Sequence, residues 1–352
     1  MLDAPLLFES GLNKICNMII GVITDKEICI NRIIARDGMT EEEAEERINS
    51  QHDTKFFKIH CDYCIYNNDE NNMDFQISEI INGKNLSNEN VIQVNDGKIR
   101  YLQFRRLLEY SDKLQHCYSL RPLDFGKNKD YPDKMDKIHK EYEIICKSLK
   151  LDDKKIFRPK QMHTNIVIKV DNQTPGIFTE ELSSVDGLVT DKKDKILSLS
   201  FADCISLFFY DPVKNVIGDV HSGWKGTYQE IAKEAIELLK KEYGSNPKDL
   251  ICCIGPSIKK CCFEVSQDVR DMFYEKFKNT GRIDEIISSS NIPGKYYIDT
   301  VLINRILLEN EGLIPENIVE SGICTKCKSM YVHSYRAEGK EFGINTAIIS
   351  LI

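Results

Sequence analysis

Cys204 and His221 are the two residues whose types and spacing point most directly to chemistry. Each ends an apolar run. Ile205 to Tyr210 follows the cysteine, Val216 to Val220 precedes the histidine, and Asp211-Pro212-Val213-Lys214-Asn215 joins them. Two such runs with a short turn-rich connection predict a β-hairpin. Pairing Tyr210 with Val216 and counting outward brings Cys204 within about one residue of His221, at the open end. Opposed Cα atoms in an antiparallel pair lie roughly 4.5–5.5 Å apart. A thiol and an imidazole at that separation can share a metal ion, or can act as nucleophile and base. Taken singly, the cysteine also reads as a small buried hydrophobe and the histidine as a satisfied strand-end residue. The juxtaposition is what argues for a site.

The residues after His221 extend the pattern. Ser222-Gly223-Trp224-Lys225-Gly226 reads as a loop between strand and helix. Thr227 and Glu230 have capping-box spacing, and Ile231, Ala235 and Leu238 recur at helical spacing up to Gly244. Backbone N–H groups at a helix start favour an anion, and Lys225 adds a formal charge. A phosphate or carboxylate substrate is the implication. The loop alone reads equally well as a turn with an exposed lysine.

Composition bounds the rest. At 352 residues there is room for two domains. A net charge of −8 argues against a general nucleic-acid binder. No run of about 18 apolar residues exists, so no membrane span is expected. Asp3, Glu9 and Asn13 interrupt the N-terminus, which is not expected to be a signal peptide. Thirteen cysteines without an export signal point to the cytoplasm and to free thiols. The pairs Cys61/Cys64 and Cys324/Cys327 are too far apart for one zinc ribbon. The doublets Cys252-Cys253 and Cys261-Cys262 suit neither a relaxed disulfide nor a standard ligand spacing. The two C-x-x-C pairs are expected to be incidental or structural. The oligomeric state stays open.

Taken in order, Met18 to Ile23 predicts a strand, Asp25 to Arg36 a helix broken by Asp37-Gly38, and Thr40 with Glu43 a capped second helix. Asp62 to Tyr66 predicts a strand and Met73 to Ile81 a helix. This segment, residues 1–83, carries Asp3-Ala4-Pro5-Leu6-Leu7-Phe8-Glu9, Arg32, Arg36-Asp37-Gly38, Ile48-Asn49-Ser50-Gln51 and Asp62-Tyr63 with Asn67-Asn68. It resembles the C-terminal part of dephospho-coenzyme A kinase. The resemblance would put Asp3 near the acceptor hydroxyl and Arg32 and Arg36 around the nucleotide lid. The family's phosphate loop, G-x-x-x-x-G-K-[ST], occurs nowhere in the 352 residues. Without those N–H groups and that lysine, the segment is expected to be a truncated α/β P-loop-kinase-like remnant without activity. Residues 84–97 are polar and predict a linker.

From residue 98 to 352, helices are predicted at 133–149 and 267–277, and strands at 166–170, 250–254 and 344–349. The pieces His116 through Arg121, Gln161-Met162-His163, Val185 through Thr190, Ala202-Asp203-Cys204, His221 through Gly226, Ile254 through Val265 and Ser334-Tyr335-Arg336 stand in order. They resemble the multicopper polyphenol oxidoreductase, or laccase-like, family, whose members are read as zinc-containing purine nucleoside phosphorylases with adenosine deaminase activity. The resemblance implies an α+β fold, a mixed-sheet layered sandwich. It implies His163, Cys204 and His221 as ligands of zinc, with copper as the alternative ion. It implies purine nucleosides and phosphate as substrates, held by Arg121, Gly223, Lys225 and Arg336, with Arg121, Lys225 and Cys262 at the reaction centre. Asp203 is the candidate partner for a ligating histidine, although its place on a strand would aim it the other way. Seven histidines without one His-x-His pair argue against a true multicopper centre. The zinc-deaminase signature, H-x-E with P-C-x-x-C, is also missing. Two other readings stay open: a cysteine hydrolase or amidase using Cys204 and His221, and a nucleoside-binding module without catalysis.

Overall fold

A computed structural model describes residues 3–4, 6–68, 71–97, 99–126, 132–174, 176–177 and 182–352, with the backbone alone at 132–135. Pro5 of the kinase-like stretch lies outside the described residues. The chain divides into two compact units, Met1–Lys98 and Ile99–Ile352.

The first unit contains β1 (Ile20–Ile23), α1 (Lys26–Asp37), α2 (Glu41–Asn49), α3 (Thr54–His60), β2 (Tyr63–Tyr66), α4 (Met73–Ile81) and β3 (Val91–Asp96). β1 and β2 pair in parallel, from Ile20 opposite Tyr63 to Ile23 opposite Tyr66. A parallel pair needs a crossover, which α1 to α3 supply. Gly38, at φ +67°, ends α1, and the Thr40–Glu43 capping box starts α2. Helix α3 has a signal that the sequence reading passed over: Asp53 accepts from the Phe56 N–H at 2.8 Å.

Residues 91–96, read from sequence as linker, are instead strand β3 with its first five residues buried. Their polar side chains satisfy one another. Gln93 donates to Asn95 (2.9 Å), and Gln76 both accepts from and donates to the Tyr66 backbone (2.9 Å each). Paired amides can be buried, so polarity here did not mean exposure.

The second unit contains β4 (Ile99–Phe104), α5 (Arg105–Leu108), β5 (Leu114–Ser119), α6 (Pro132–Leu149), β6 (Ile156–Phe157), β7 (Val167–Lys169), β8 (Gly187–Thr190), β9 (Ile196–Phe201), β10 (Ile205–Asp211) and β11 (Val216–Ser222). It continues with α7 (Trp224–Tyr228), α8 (Ile231–Tyr243), β12 (Ile251–Ile254), β13 (Glu264–Ser266), α9 (Gln267–Phe277), α10 (Ile283–Ile286), β14 (Ile287–Ser289) and β15 (Lys295–Ile298). Helix α11 (Thr300–Asn310), β16 (Ile318–Glu320), α12 (Tyr335–Glu338) and β17 (Asn345–Leu351) complete it.

One sheet runs β16-β12-β10-β11-β8-β7, antiparallel except for β12–β16 and β7–β8. In a second sheet β4, β5, β17, β9 and β6 are successive neighbours. β11 packs across onto β9 and β17, while α8 covers β11 and β7 from the other side and α11 packs on α8. A small sheet, β13-β15-β14, stands apart. The unit is thus an α+β mixed-sheet sandwich with helices on its outer face. Every residue of β10, β11 and β17 is buried. That is why these segments are rich in apolar residues without a strict alternation, their few polar side chains being buried as well.

The hairpin register differs by one residue from the expected pairing: Asp211, not Tyr210, lies opposite Val216. The Asp211 carboxylate accepts from the N–H groups of Val213 and Lys214, both at 2.9 Å, so the aspartate belongs to the ladder and closes a tighter turn. His221 therefore pairs with Ser206, and Cys204 lies just outside β10. The expected Thr227 capping box is also absent. Glu230 has φ +64° and splits the helical stretch into α7 and α8, while the Thr227 hydroxyl pairs with Ser222 at 2.9 Å. Gly244 ends α8 in the left-handed conformation, as expected.

Candidate active site

Asp186, buried where the chain enters β8, organises the site. Its carboxylate accepts the backbone N–H groups of Met162 (3.1 Å), His163 (3.1 Å) and Thr164 (2.8 Å), together with the Thr164 hydroxyl (2.8 Å). These bonds hold His163 at φ +62°, a conformation a histidine rarely adopts. The same carboxylate takes the Nδ1–H of His221 at 2.7 Å. One anion thus positions two imidazoles from distant parts of the chain and leaves Nε2 of His221 as its coordinating nitrogen.

Cys204 completes the group. It follows Asp203, whose φ of +82° turns the chain out of β9. The Cys204 Sγ lies 3.7 Å from the His163 Nε2, and the ligand atoms of His163, Cys204 and His221 all fall within 4.8 Å of one another. Two donors bound to one tetrahedral zinc, at typical bond lengths, would lie about 3.6 Å apart. Gly223 makes this convergence possible. A Cβ there would sit 2.7 Å from His163 Cδ2 and 3.1 Å from Cys204 Sγ. Two histidines, one thiol and a second-sphere carboxylate therefore fit a metal with one coordination place left for substrate or water.

The electrostatics agree. Burial pushes the Cys204 thiol up, but the charge of His221 and the hydrogen bond from His163 outweigh it and bring the thiol down to about 6. Burial opposes charge on His221, yet the thiolate and the Asp186 hydrogen bond raise it to about 10. Both shifts favour a thiolate beside an imidazolium when no metal is bound.

These residues face a cavity of about 770 Å³. Its cationic walls come from Arg158, Lys295 and Arg336, and its aromatic ones from Trp224, Phe263, Tyr335 and Phe342. Arg158 is buried; its guanidinium donates to Ser200 Oγ (2.6 Å) and to the Phe125 carbonyl (3.1 Å). Arg336 donates to the Glu264 carbonyl at 3.0 Å.

The candidates from sequence divide accordingly. His163, Cys204 and His221 come together, with Gly223 against them, and Arg336 lines the cavity. Lys225 is exposed, its ammonium 5.7 Å from the Trp224 ring, and is not among the lining residues. Arg121 is engaged by Glu338 and does not line the cavity either. The Cys262 thiol turns instead towards Cys327, 3.5 Å away. Asp203 does not support a ligand. It accepts from Thr325, from Ser334 Oγ (2.6 Å) and from the Arg336 N–H (2.6 Å), so it sets the turn that presents Arg336. Sequence reasoning missed Asp186 and Arg158. Asp186 lay inside the singled-out stretch Val185 to Thr190, and Arg158 stands just ahead of Gln161-Met162-His163.

Residues 118–352 match the family described as multi-copper polyphenol oxidoreductase laccase, and residues 1–73 match dephospho-CoA kinase. Purine nucleoside phosphorylase YlmD of Bacillus subtilis is 34% identical over 195 residues, covering 54% of this chain and 69% of that protein. Adenosine deaminase RL5, from an unknown prokaryotic organism, is 30% identical over 200 residues, covering 56% and 72%. The crystal structure of the hypothetical protein YfiH of Bacillus licheniformis aligns with a TM-score of 0.65 at 27% identity, over 74% of this chain and 99% of that one. The match runs through every segment that builds the cavity, and the chain belongs to the multi-copper polyphenol oxidoreductase laccase family.

Proposed function

We propose that the protein is a zinc-dependent purine nucleoside phosphorylase. It would convert adenosine, inosine, guanosine or methylthioadenosine and phosphate into free base and the sugar 1-phosphate, with adenosine deamination as a second activity. The observation that carries this reading is the convergence of His163, Cys204 and His221 on a cavity with Arg158 and Arg336 in its walls. The names of the two curated relatives, a purine nucleoside phosphorylase and an adenosine deaminase, support the same substrate class.

Cleavage of the N-glycosidic bond builds positive charge on the sugar, and the incoming phosphate must be held against it as an anion. Arg336 and Arg158 supply the cationic groups. The Glu264 carbonyl orients Arg336, and Ser200 and the Phe125 carbonyl orient Arg158. Trp224, Phe263, Tyr335 and Phe342 offer ring faces to a purine. Asp186 keeps both histidines in place through its five hydrogen bonds. Zinc held by His163, Cys204 and His221 would supply Lewis-acid polarisation; copper is the other ion the donor set accepts. Arg121 and Lys225 stand off the cavity lining and the Cys262 thiol faces Cys327, so none of the three is given a part in the reaction.

One observation favours a second reading. A Cys204 thiol lowered to about 6 beside His221 is also the pair of a cysteine hydrolase. Incubation of the purified protein with inosine or adenosine, with and without phosphate, separates the two. Ribose 1-phosphate formed only with phosphate is the expected result. Activity that survives complete metal removal would favour the hydrolase.

A further inference from the structure

A second cluster of ligand-type side chains lies outside this site. The Sγ atoms of Cys261, Cys262, Cys324 and Cys327 all fall within 4.8 Å of one another. Measured pairs are 3.8 Å for Cys261–Cys262, 3.9 Å for Cys261–Cys327 and 3.5 Å for Cys262–Cys327. Four thiolates around one tetrahedral zinc, with Zn–S near 2.3 Å, are separated by about 3.8 Å. We propose that these four cysteines form a structural zinc site that fastens the 255–264 loop to the 321–328 loop.

The local backbone is arranged for it. Cys324 is buried; burial opposes its charge, but the backbone N–H groups of Lys259 and Cys327 favour its thiolate. Cys261 and Cys327 lie at the surface, so an ion can enter. A tetrathiolate zinc carries two negative charges, and Lys259, Lys260, Lys326 and Lys328 flank the ligands in sequence. The adjacent doublet Cys261-Cys262 had seemed unsuited to a ligand set. The turn at 259–263, where the N–H groups of Cys262 and Phe263 bond to the Lys259 carbonyl, brings both sulfurs to the same side.

Beyond the cluster the two loops share a short backbone bridge. Ser257 pairs with Cys324, with Ser257 N–H to the Ile323 carbonyl at 3.3 Å and Thr325 N–H to the Ser257 carbonyl at 3.0 Å. Both loops carry parts of the cavity wall. Phe263 and Glu264 line it directly, and Thr325 binds the Asp203 carboxylate that presents Arg336. Four metal–sulfur bonds would brace that wall at its outer edge. The tetrathiolate set selects zinc or iron, and four closed ligands leave no place for substrate.

The test uses the full-length protein, stripped with chelator and reloaded with zinc. Wild type is expected to hold about two zinc ions per chain, and the His163→Ala/Cys204→Ala variant about one. Zinc-edge X-ray absorption of that variant should show four sulfur neighbours at about 2.3 Å. The variant leaves all four cluster cysteines in place, so the result does not depend on whether a cluster variant folds. In Cys324→Ser/Cys327→Ser, the sulfur-only zinc should vanish while the site at His163, Cys204 and His221 keeps its ion. Nitrogen or oxygen neighbours in the His163→Ala/Cys204→Ala protein would overturn the proposal. So would the absence of zinc from it, or a Cys262–Cys327 disulfide found by mass spectrometry in protein purified without oxidant.

Discussion

The Nδ1 of His221 lies 2.7 Å from Oδ1 of Asp186, a carboxylate that also gathers three successive backbone N–H groups at residues 162–164. An asparagine in its place keeps the shape but turns one acceptor into a donor and removes the charge. Asp186→Asn is therefore expected to weaken zinc binding by about 10–100-fold, as loss of second-sphere partners does at other zinc–histidine sites. Chelator competition on the purified variant measures this. Unchanged affinity would mean that Asp186 only supports the fold.

Gly223→Ala tests the packing of the ligands rather than their charge. The new Cβ would press on the His163 ring and the Cys204 sulfur, at 2.7 Å and 3.1 Å. Since φ at Gly223 is −69°, alanine brings no backbone strain there, and any effect reports crowding alone. Zinc content and nucleoside cleavage should both fall sharply, while the thermal midpoint of the metal-free protein moves little. Retention of full zinc with normal turnover would show that the ligands do not need that closeness.

Much of this site was legible in the sequence, and what was not has identifiable reasons. The Cys204–His221 pairing survived a register error of one residue because Cys204 stands two residues before Ser206, the partner of His221, and so shares its strand face. Arg121 and Lys225 looked as good as any cation, but Glu338 engages the first and the second is exposed, and long-range pairing leaves no mark on spacing. Arg158 was overlooked because a buried arginine is rare; here Ser200 and the Phe125 carbonyl hold it. In the first unit β1, α1, α2, β2 and α4 followed from apolar runs and caps, whereas β3 was hidden by its paired amides.

Asp203 offers a way to disturb Arg336 without touching it. Its carboxylate accepts from Thr325, Ser334 and the Arg336 backbone, and it is almost wholly buried. Asp203→Ala leaves those donors unpaired, at a cost of about 1–3 kcal/mol in stability for each that water cannot reach. The expected kinetic result is a raised KM for phosphate with a smaller change for nucleoside. Arg336→Lys should show the same pattern without the loss of stability, because lysine keeps charge but lacks the planar fork. A selective effect on nucleoside KM in either variant would place Arg336 at the base or sugar instead.

The metal-free protein should show a stability profile set by Cys204 and His221. Cys204 is lowered from 9.0 to about 6, burial opposing the shift and the histidines driving it. Its contribution is therefore full above about 9 and is lost as pH falls through about 6. His221 is raised from 6.5 to about 10, against burial, by the thiolate and Asp186. Its contribution is full below about 6.5 and is lost as pH rises through about 10. Urea unfolding of chelator-treated protein across this range should find the thiol's share disappearing on the acid side and the imidazole's on the alkaline side. Cys204→Ser removes the group titrating near 6, so the acid limb should flatten; with no thiolate to support it, the His221 midpoint should also move down. An acid limb unchanged in Cys204→Ser would show that the thiol carries its proton in the folded protein and that the pair is neutral.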